Sequence, residues 1–231
     1  SADTSVPVAV SGIDASLPAT DIEVGRAHAC AIMEDDTIHC WGKNSSGQLG
    51  NSSDTSSSSD IPITVDSIDS SNPPIQLAVG FEFGCALLMD GEVQCWGAGD
   101  YGQLGDGSGS DSASPITVYG IGPTYSAEAT AIAAGKNHAC ALIDDGFVQC
   151  WGSNSFRQLG DGSQTSSDIP VVVSDIGDTA NTAIAIAGGA DHSCAVLSDG
   201  TMMCWGNNTY GQLGDGSDAS TYVPTAIDSS V

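Results

Sequence analysis

Eight cysteines, four histidines and 29 carboxylates are the groups in this 231-residue chain that could do chemistry. The cysteines fall into four pairs of equal spacing: Cys30 and Cys40, Cys85 and Cys95, Cys140 and Cys150, Cys194 and Cys204. Two chemistries suit them. One is disulfide closure. The other is zinc, with His28, His138 and His192 two residues ahead of a cysteine as further ligands. The second pair has Phe83 at that position, and paired cysteines across a hairpin need no metal, so no metal site is expected. Acid–base or nucleophilic catalysis by the histidines is disfavoured as well. Three of them occupy one recurring position, whereas a catalytic centre breaks repetition. His39 is a lone strand residue expected on a solvent-facing side. The paired acids Asp35-Asp36 and Asp144-Asp145 read as turn residues bonding the local backbone. Asp106-Gly107-Ser108, Asp161-Gly162-Ser163 and Asp215-Gly216-Ser217 could offer oxygens to calcium, but their spacing matches neither the EF-hand nor the nonapeptide calcium repeat. A turn role is expected there, and no cofactor.

The elements that must position these groups repeat. Four segments align: HACAIMEDDTIHCWGKNSSGQLG, FGCALLMDGEVQCWGAGDYGQLGDGS, HACALIDDGFVQCWGSNSFRQLGDGS and HSCAVLSDGTMMCWGNNTYGQLGDGS. The second cysteines recur every 55, 55 and 54 residues, from Cys40 to Cys95, Cys150 and Cys204. A small apolar run ending in Gly precedes each segment, and a strand beginning near Pro follows each GQLG. Each repeat thus offers four strands separated by turns, the content of one propeller blade. The expected fold is all-β: four tandem four-stranded blades forming an open arc or part of a larger assembly. Residues 1–231 form one repeat domain, with repeats at about 20–65, 75–118, 129–173 and 183–227, and 1–19 as an N-terminal surplus strand and connector.

The middle hairpin can be worked out residue by residue. In the second repeat, Met89-Asp90-Gly91 makes a three-residue loop with Gly in the left-handed position. Leu88 then faces Glu92, Leu87 faces Val93, Ala86 faces Gln94 and Cys85 faces Cys95. If the closing pair is hydrogen-bonded, alternation makes Cys85–Cys95 a non-hydrogen-bonded pair, with Cα atoms about 4.5 Å apart and within disulfide reach. The same offset holds in the other repeats. The cysteine face also carries Ile32 and Ile38, Leu87 and Val93, Leu142 and Val148, Val196 and Met202, and is expected to be the core side. Asp36 replaces the loop Gly in the first repeat, where a strained or different turn is expected.

The charge is one-sided: 29 acidic residues against four basic ones, a formal net charge of −25. Such a surface repels nucleic-acid phosphates and anionic lipids. Arg26, Lys43, Lys136 and Arg157 are scattered, so no nucleic-acid partner is expected. No apolar run approaches the roughly 20 residues that span a bilayer, and no membrane insertion is expected. Evenly spaced cysteines suggest an oxidising compartment. The chain reads as secreted, extracellular or at the cell surface: a mature form freed of its signal peptide, or an excised fragment.

The string CWGxNxxGQLGDG, preceded by ALxxDGxVxCWG and IAAGxxH, resembles the repeat of the regulator of chromosome condensation family over essentially the whole chain. The variants with a cysteine pair look like those of bacterial exported members. The resemblance implies a β-propeller of four-stranded blades, usually seven in a ring. A secreted β-lactamase inhibitor with a similar propeller implies that the family can inhibit enzymes. Four copies stand here, the basic DNA-binding segments are missing, and no segment resembles the nucleotide-exchange wedge. Within the motif, Trp41, Trp96, Trp151 and Trp205 are expected to pack between blades, each indole N–H finding a carbonyl. Gln48, Gln103, Gln158 and Gln212 are expected to bond the backbone of an adjacent turn, and Leu49, Leu104, Leu159 and Leu213 to plug the blade interface. The alternative for the tryptophans is a sugar-binding platform. Arg157 occupies the position of Gly47, Gly102 and Gly211, so that turn is not expected to require Gly strictly. The Ser-rich stretch NSSDTSSSSD from Asn51 reads as a solvated loop, and the N-x-S/T triplets at Asn44, Asn51 and Asn207 as exposed.

Counting strands leads to function. The Pro-associated strand occurs five times, first as VPVAV from Val6, while the other three occur four times. An incomplete arc also leaves two apolar blade faces open. Unprotected edges and faces invite association. The expected protein is therefore non-enzymatic and structural, self-assembling through its blades and surplus strand into a filament or ring. The alternative is a secreted module that binds a protein or glycan partner, for instance as an enzyme inhibitor.

Overall fold

A computed structural model of the chain describes residues 6–53, 56–68, 70–177 and 181–227. The described residues hold sixteen strands in four separate sheets of four. The first sheet is β1 (Ala19–Val24), β2 (His28–Met33), β3 (Ile38–Lys43) and β4 (Ser58–Thr64). The second is β5 (Pro74–Val79), β6 (Phe83–Leu88), β7 (Val93–Gly97) and β8 (Ser112–Thr117). The third is β9 (Ala129–Ala134), β10 (His138–Ile143), β11 (Val148–Gly152) and β12 (Ser167–Val172). The fourth is β13 (Ala183–Gly188), β14 (His192–Leu197), β15 (Met202–Gly206) and β16 (Thr221–Ala226). Strands pair antiparallel in sequence order within each sheet, so among the described residues no strand is exchanged between blades.

The first strands of successive blades, β1, β5, β9 and β13, approach one another and line the inside of the arc. The last strands form the rim. That placement explains the prolines: Pro62, Pro115, Pro170 and Pro224 all lie in the outer edge strand, where a missing N–H costs no ladder bond. At the inner end Gly25, Gly80 and Gly135 let neighbouring blades close up. A Cβ on Gly25 would stand 2.2 Å from the Gly80 carbonyl oxygen, and one on Gly135 2.4 Å from that of Gly189.

The hairpin register of the second blade is Cys85 opposite Cys95, Ala86 opposite Gln94 and Leu87 opposite Val93. Leu88 N–H donates to the Glu92 carbonyl at 2.9 Å and closes the loop. Gly91 adopts φ +86°, as the three-residue loop requires. Asp36 takes the same left-handed conformation with φ 66°, so the first turn keeps its shape and carries the strain in a residue with a Cβ. In all four turns an aspartate closes the loop from its side chain: Asp35, Asp90, Asp145 and Asp199 accept from the backbone N–H two residues on, at 2.9–3.2 Å. Thr37 and Thr201 also donate hydroxyls, and these bonds hold Asp35 and Asp199 below the usual carboxylate range.

Three expectations need correction. The cysteine face is not the sole core side. Blades stack, so β6 and β10 are buried along their whole length on both faces. Each cluster joins the cysteine face of one blade to the tryptophan face of the next, as Cys85, Leu87 and Val93 meet Ala139, Ala141 and Trp151. Second, Val6–Val10 enters no sheet, and Val6 and Val8 are largely exposed. Third, the Ser-rich stretch is not all loop. Ser58–Asp60 already belongs to β4, while residues 54 and 55 lie outside the described residues.

Candidate functional site

The joints between blades are built by one device used three times. In each GQLG turn the glutamine side chain closes its own loop. The Oε1 atoms of Gln48, Gln103 and Gln158 accept from the N–H groups of Ser46, Tyr101 and Phe156 at 2.8–2.9 Å. The glutamine's backbone carbonyl is then turned outward, to the following blade. Trp96 Nε1 donates to Gln48 O at 3.1 Å, Trp151 to Gln103 O at 3.0 Å and Trp205 to Gln158 O at 2.9 Å. The last glycine of each turn makes room for the indole. A Cβ on Gly105 or Gly160 would lie 2.8 or 2.7 Å from the ring of Trp151 or Trp205. All three indoles are fully buried, so they offer no platform to a sugar.

Leu49, Leu104, Leu159 and Leu213 are buried in all four blades. Leu49, Leu104 and Leu159 lie in the clusters that join each blade to the next, beside Trp96, Trp151 and Trp205. The polar anchor beneath them is a feature the sequence reading missed. Asn44, Asn154 and Asn208 are buried and accept the N–H of Leu49, Leu159 and Leu213 at 2.9–3.1 Å. Their amides reach back to the Ser56, Thr165 and Ala219 carbonyls. Asn44 is thus a buried structural residue and not an exposed acceptor for sugar. The signal was present: an Asn stands three residues after the Trp in three of the four repeats.

The cysteines are bridged within repeats: Cys30–Cys40, Cys85–Cys95, Cys140–Cys150 and Cys194–Cys204, with Cα atoms 4.0–4.1 Å apart. Each joins the two central strands of its blade. Asp106, Asp161 and Asp215 accept from the N–H groups of Ser108, Ser163 and Ser217 at 2.9–3.1 Å, the bonds of a tight turn. Among the described residues no three His, Cys, Asp or Glu side chains gather as a metal site.

His28, Phe83, His138 and His192 each tuck their ring beneath the glycine that precedes them. A Cβ on Gly135 would stand 2.1 Å from the His138 ring. Burial lowers His28 to about 4, against a counter-pull from Glu82, and His138 to about 3, with His192 adding to the effect. His138 Nε2 meets Ser193 Oγ at 2.9 Å, a pairing of base and hydroxyl that sequence reading did not foresee. It is no nucleophile. Both residues are buried, the Ser193 hydroxyl donates to the Gln158 carbonyl at 3.1 Å, and His138 Nδ1 has no partner among the described residues to orient it. His39 lies on the open face of the first blade, half-buried, 3.3 Å from the Thr64 hydroxyl. Of the four cations, the fold brings Arg26 and Lys136 to one aromatic ring, while Lys43 and Arg157 stay apart. Lys43 pairs with Glu82 of the next blade, Arg26 and Lys136 flank the Phe81 ring, and Arg157 lies 3.9 Å over Tyr222 while donating to Ser220 O at 2.7 Å. Arg157 has φ 69°, so its turn does require the left-handed conformation, and the cross-blade contacts of its guanidinium offset the strain.

The two ends of the stack are the surfaces left over. At the leading end, Ile22 and Val24 are 57% and 68% exposed, where their counterparts Leu77 and Val79 in the second blade are 1% and 9%. Trp41 is the half-buried member of its set, and its indole reaches no acceptor among the described residues. At the trailing end, Met202 is 43% exposed where Val93 and Val148 are completely covered. It borders a shallow apolar depression of about 90 Å³ with Ala185, Ala187, Cys194 and Val196. Gln212 closes its turn through Tyr210 N–H at 2.9 Å like the others, and beside it a Cβ on Gly214 would meet only Ile227.

A domain model described as the RCC1-like domain matches residues 1–231. The ultraviolet-B receptor UVR8 of Arabidopsis thaliana is 31% identical over 209 residues, which is 90% of this chain and 46% of that protein. Among solved structures, human WBSCR16 superposes with a TM-score of 0.80 at 20% identity, covering 93% of this chain and 54% of that one. Prp20p of Saccharomyces cerevisiae gives 0.76 at 22%, covering 93% and 52%. The chain therefore spans about half the length of these relatives. With the domain match running from end to end and the blade architecture in place, the chain belongs to the RCC1-like domain family.

Proposed function

We propose that this protein is a non-enzymatic, extracellular structural protein whose work is to bind protein, with a further copy of itself as the principal partner. The observation that carries the reading is the contrast in exposure between the closed joints and the two open ends: Ile22, Val24 and Met202 stand in solvent where Leu77, Val79, Val93 and Val148 are buried. A soluble repeat protein normally covers such faces with polar caps. Filament and ring both satisfy them. Val6–Val10, a strand sequence outside any sheet, supplies a second means of association. Four bridged hairpins support an oxidising, secreted setting. A protein partner fits the family, in which Prp20p has binding properties to Gsp1p and histones. A module that grips an unrelated protein remains the second reading, favoured by the same open faces.

The experiment is light scattering of the intact protein at micromolar concentration across a salt series. Assembly that strengthens with salt is expected, because screening relieves the repulsion of a −25 chain. A monomer at every salt concentration refutes self-assembly and leaves the single-partner reading. Deleting residues 1–11 separates the contribution of Val6–Val10 from that of the end faces.

A further inference from the structure

We infer that copies of this chain join head to tail through a fourth instance of the internal blade joint, with Trp41 of one copy donating its indole N–H to the Gln212 carbonyl of the next and lying over its Gly214. The inference rests on the self-assembly reading and specifies its geometry.

The two ends are the two halves of one interface. Every internal joint needs an outward glutamine carbonyl, a glycine to seat the ring and an apolar cysteine face on one side. On the other side it uses a tryptophan and apolar residues of the inner strand: Leu77 and Val79 in the second blade, Ile132 and Ala134 in the third, Ile186 in the fourth. The trailing end holds the first set complete, in Gln212, Gly214 and the bridged Cys194–Cys204 hairpin. The leading end holds the second, in Trp41, Ile22 and Val24. The carbonyl is already aimed, since Gln212 makes the same turn-closing bond as its three counterparts. The room for the ring is there too. Gly105 and Gly160 are crowded by an indole, whereas Gly214 touches none.

Charge permits the contact despite the acidity of the chain. On the leading face, Thr20, Ile22 and Val24 of β1 stand with Ala29 and Ala31 of β2, and none is ionised. On the trailing face Ala185 and Ala187 stand with Val196 and Cys194. The first internal joint uses a cross-blade ion pair, Lys43 with Glu82. The matching positions at the open ends are Asn207 and Ala27, so the new joint leaves neither charge stranded. Because the two faces differ, the contact is heterologous: it produces a chain or a closed ring, and not a twofold dimer of like faces.

The test uses two half-dead copies. Val24→Glu spoils the leading face and Met202→Glu the trailing face. Both positions are exposed in the single chain, so both variants fold, checked by circular dichroism and by intact disulfides. A carboxylate buried at the joint weakens association on the order of a hundredfold or more. Each variant alone is expected to be monomeric, and their equimolar mixture to give a one-to-one dimer by light scattering. The leading face of M202E then meets the trailing face of V24E. Acrylamide quenching reads the indole itself: a quenchable tryptophan in V24E alone, protected in the wild-type assembly, and missing from Trp41→Phe. If the wild type assembles but either variant still self-associates, or the mixture stays monomeric, the joint is wrong while self-assembly stands. If the wild type never assembles, both fall.

Discussion

Replacing His138 by phenylalanine should remove much of the acid sensitivity of this fold. The ring is 1% exposed and wedged under Gly135, and burial lowers its pKa from 6.5 to about 3. The unfolded chain therefore takes up a proton near pH 6.5 that the folded chain refuses. The sign follows: stability is fully present above pH 6.5 and is lost as pH falls toward the folded value. Each pH unit in that window is worth about 1.4 kcal/mol, so roughly 3 kcal/mol disappears between neutrality and pH 4 through this one side chain. The second blade carries Phe83 at the same position, fully buried under Gly80, so the site accepts a benzene ring. The substitution costs the bond to Ser193, whose hydroxyl keeps the Gln158 carbonyl. The assay is urea denaturation at intervals from pH 7 to pH 4 with the disulfides intact, on the monomeric V24E background to exclude association. The double variant should show a shallower fall than V24E alone, by roughly 3 kcal/mol at pH 4. Parallel curves for the two proteins would refute the account and mean that the buried imidazole is not what acid attacks.

On the same monomeric background, Trp96→Ala should cost about 3–5 kcal/mol by equilibrium unfolding, since a fully buried indole and its bond to Gln48 are both lost. Trp41→Ala should cost under about 1 kcal/mol there, because its ring is only half-buried; equal losses would contradict the stack. Removing one bridge by joint replacement of Cys85 and Cys95 with alanine should lower stability by about 2–3 kcal/mol, read in the same way. Asn154→Ala should destabilise by about 1–3 kcal/mol, as the Leu159 N–H is left buried without its acceptor. Asp36→Gly should be neutral to stabilising by up to about 1 kcal/mol, because the turn already holds φ 66°.

What the sequence disclosed was local or repeated. Cys85 opposite Cys95 followed from a three-residue loop and the two-residue period of a strand, both of which act over a dozen residues. What stayed hidden lies across joints. Trp96 and Gln48 are 48 residues apart, and although a carbonyl acceptor was expected for the indole, nothing near either residue says that it is that of Gln48. The burial of Ala86 and Leu88 opposite the cysteine face required knowing that a blade is covered twice. The buried asparagines were misread because the N-x-S triplet at Asn44 carries a surface meaning, while the role of Asn44 is to hold the N–H of Leu49 five residues on. VPVAV resembles the outer strands in sequence, yet a strand forms only against a free edge of the right register, and Val6–Val10 enters no sheet of its own chain.

The position of the four bridges also bears on how such a protein would respond to being pulled. Each bridge spans ten residues at the centre of its blade and excludes the hairpin between its cysteines from the tension-carrying path. A blade torn open under load would release its outer strands and connecting loops but keep that hairpin shut. At about 3.4 Å per extended residue, roughly 30 Å of contour length per blade stays sequestered. Reduction would return that length as a discrete step in a force–extension trace, making the extensibility of any fibre built from these blades a function of thiol chemistry in its surroundings.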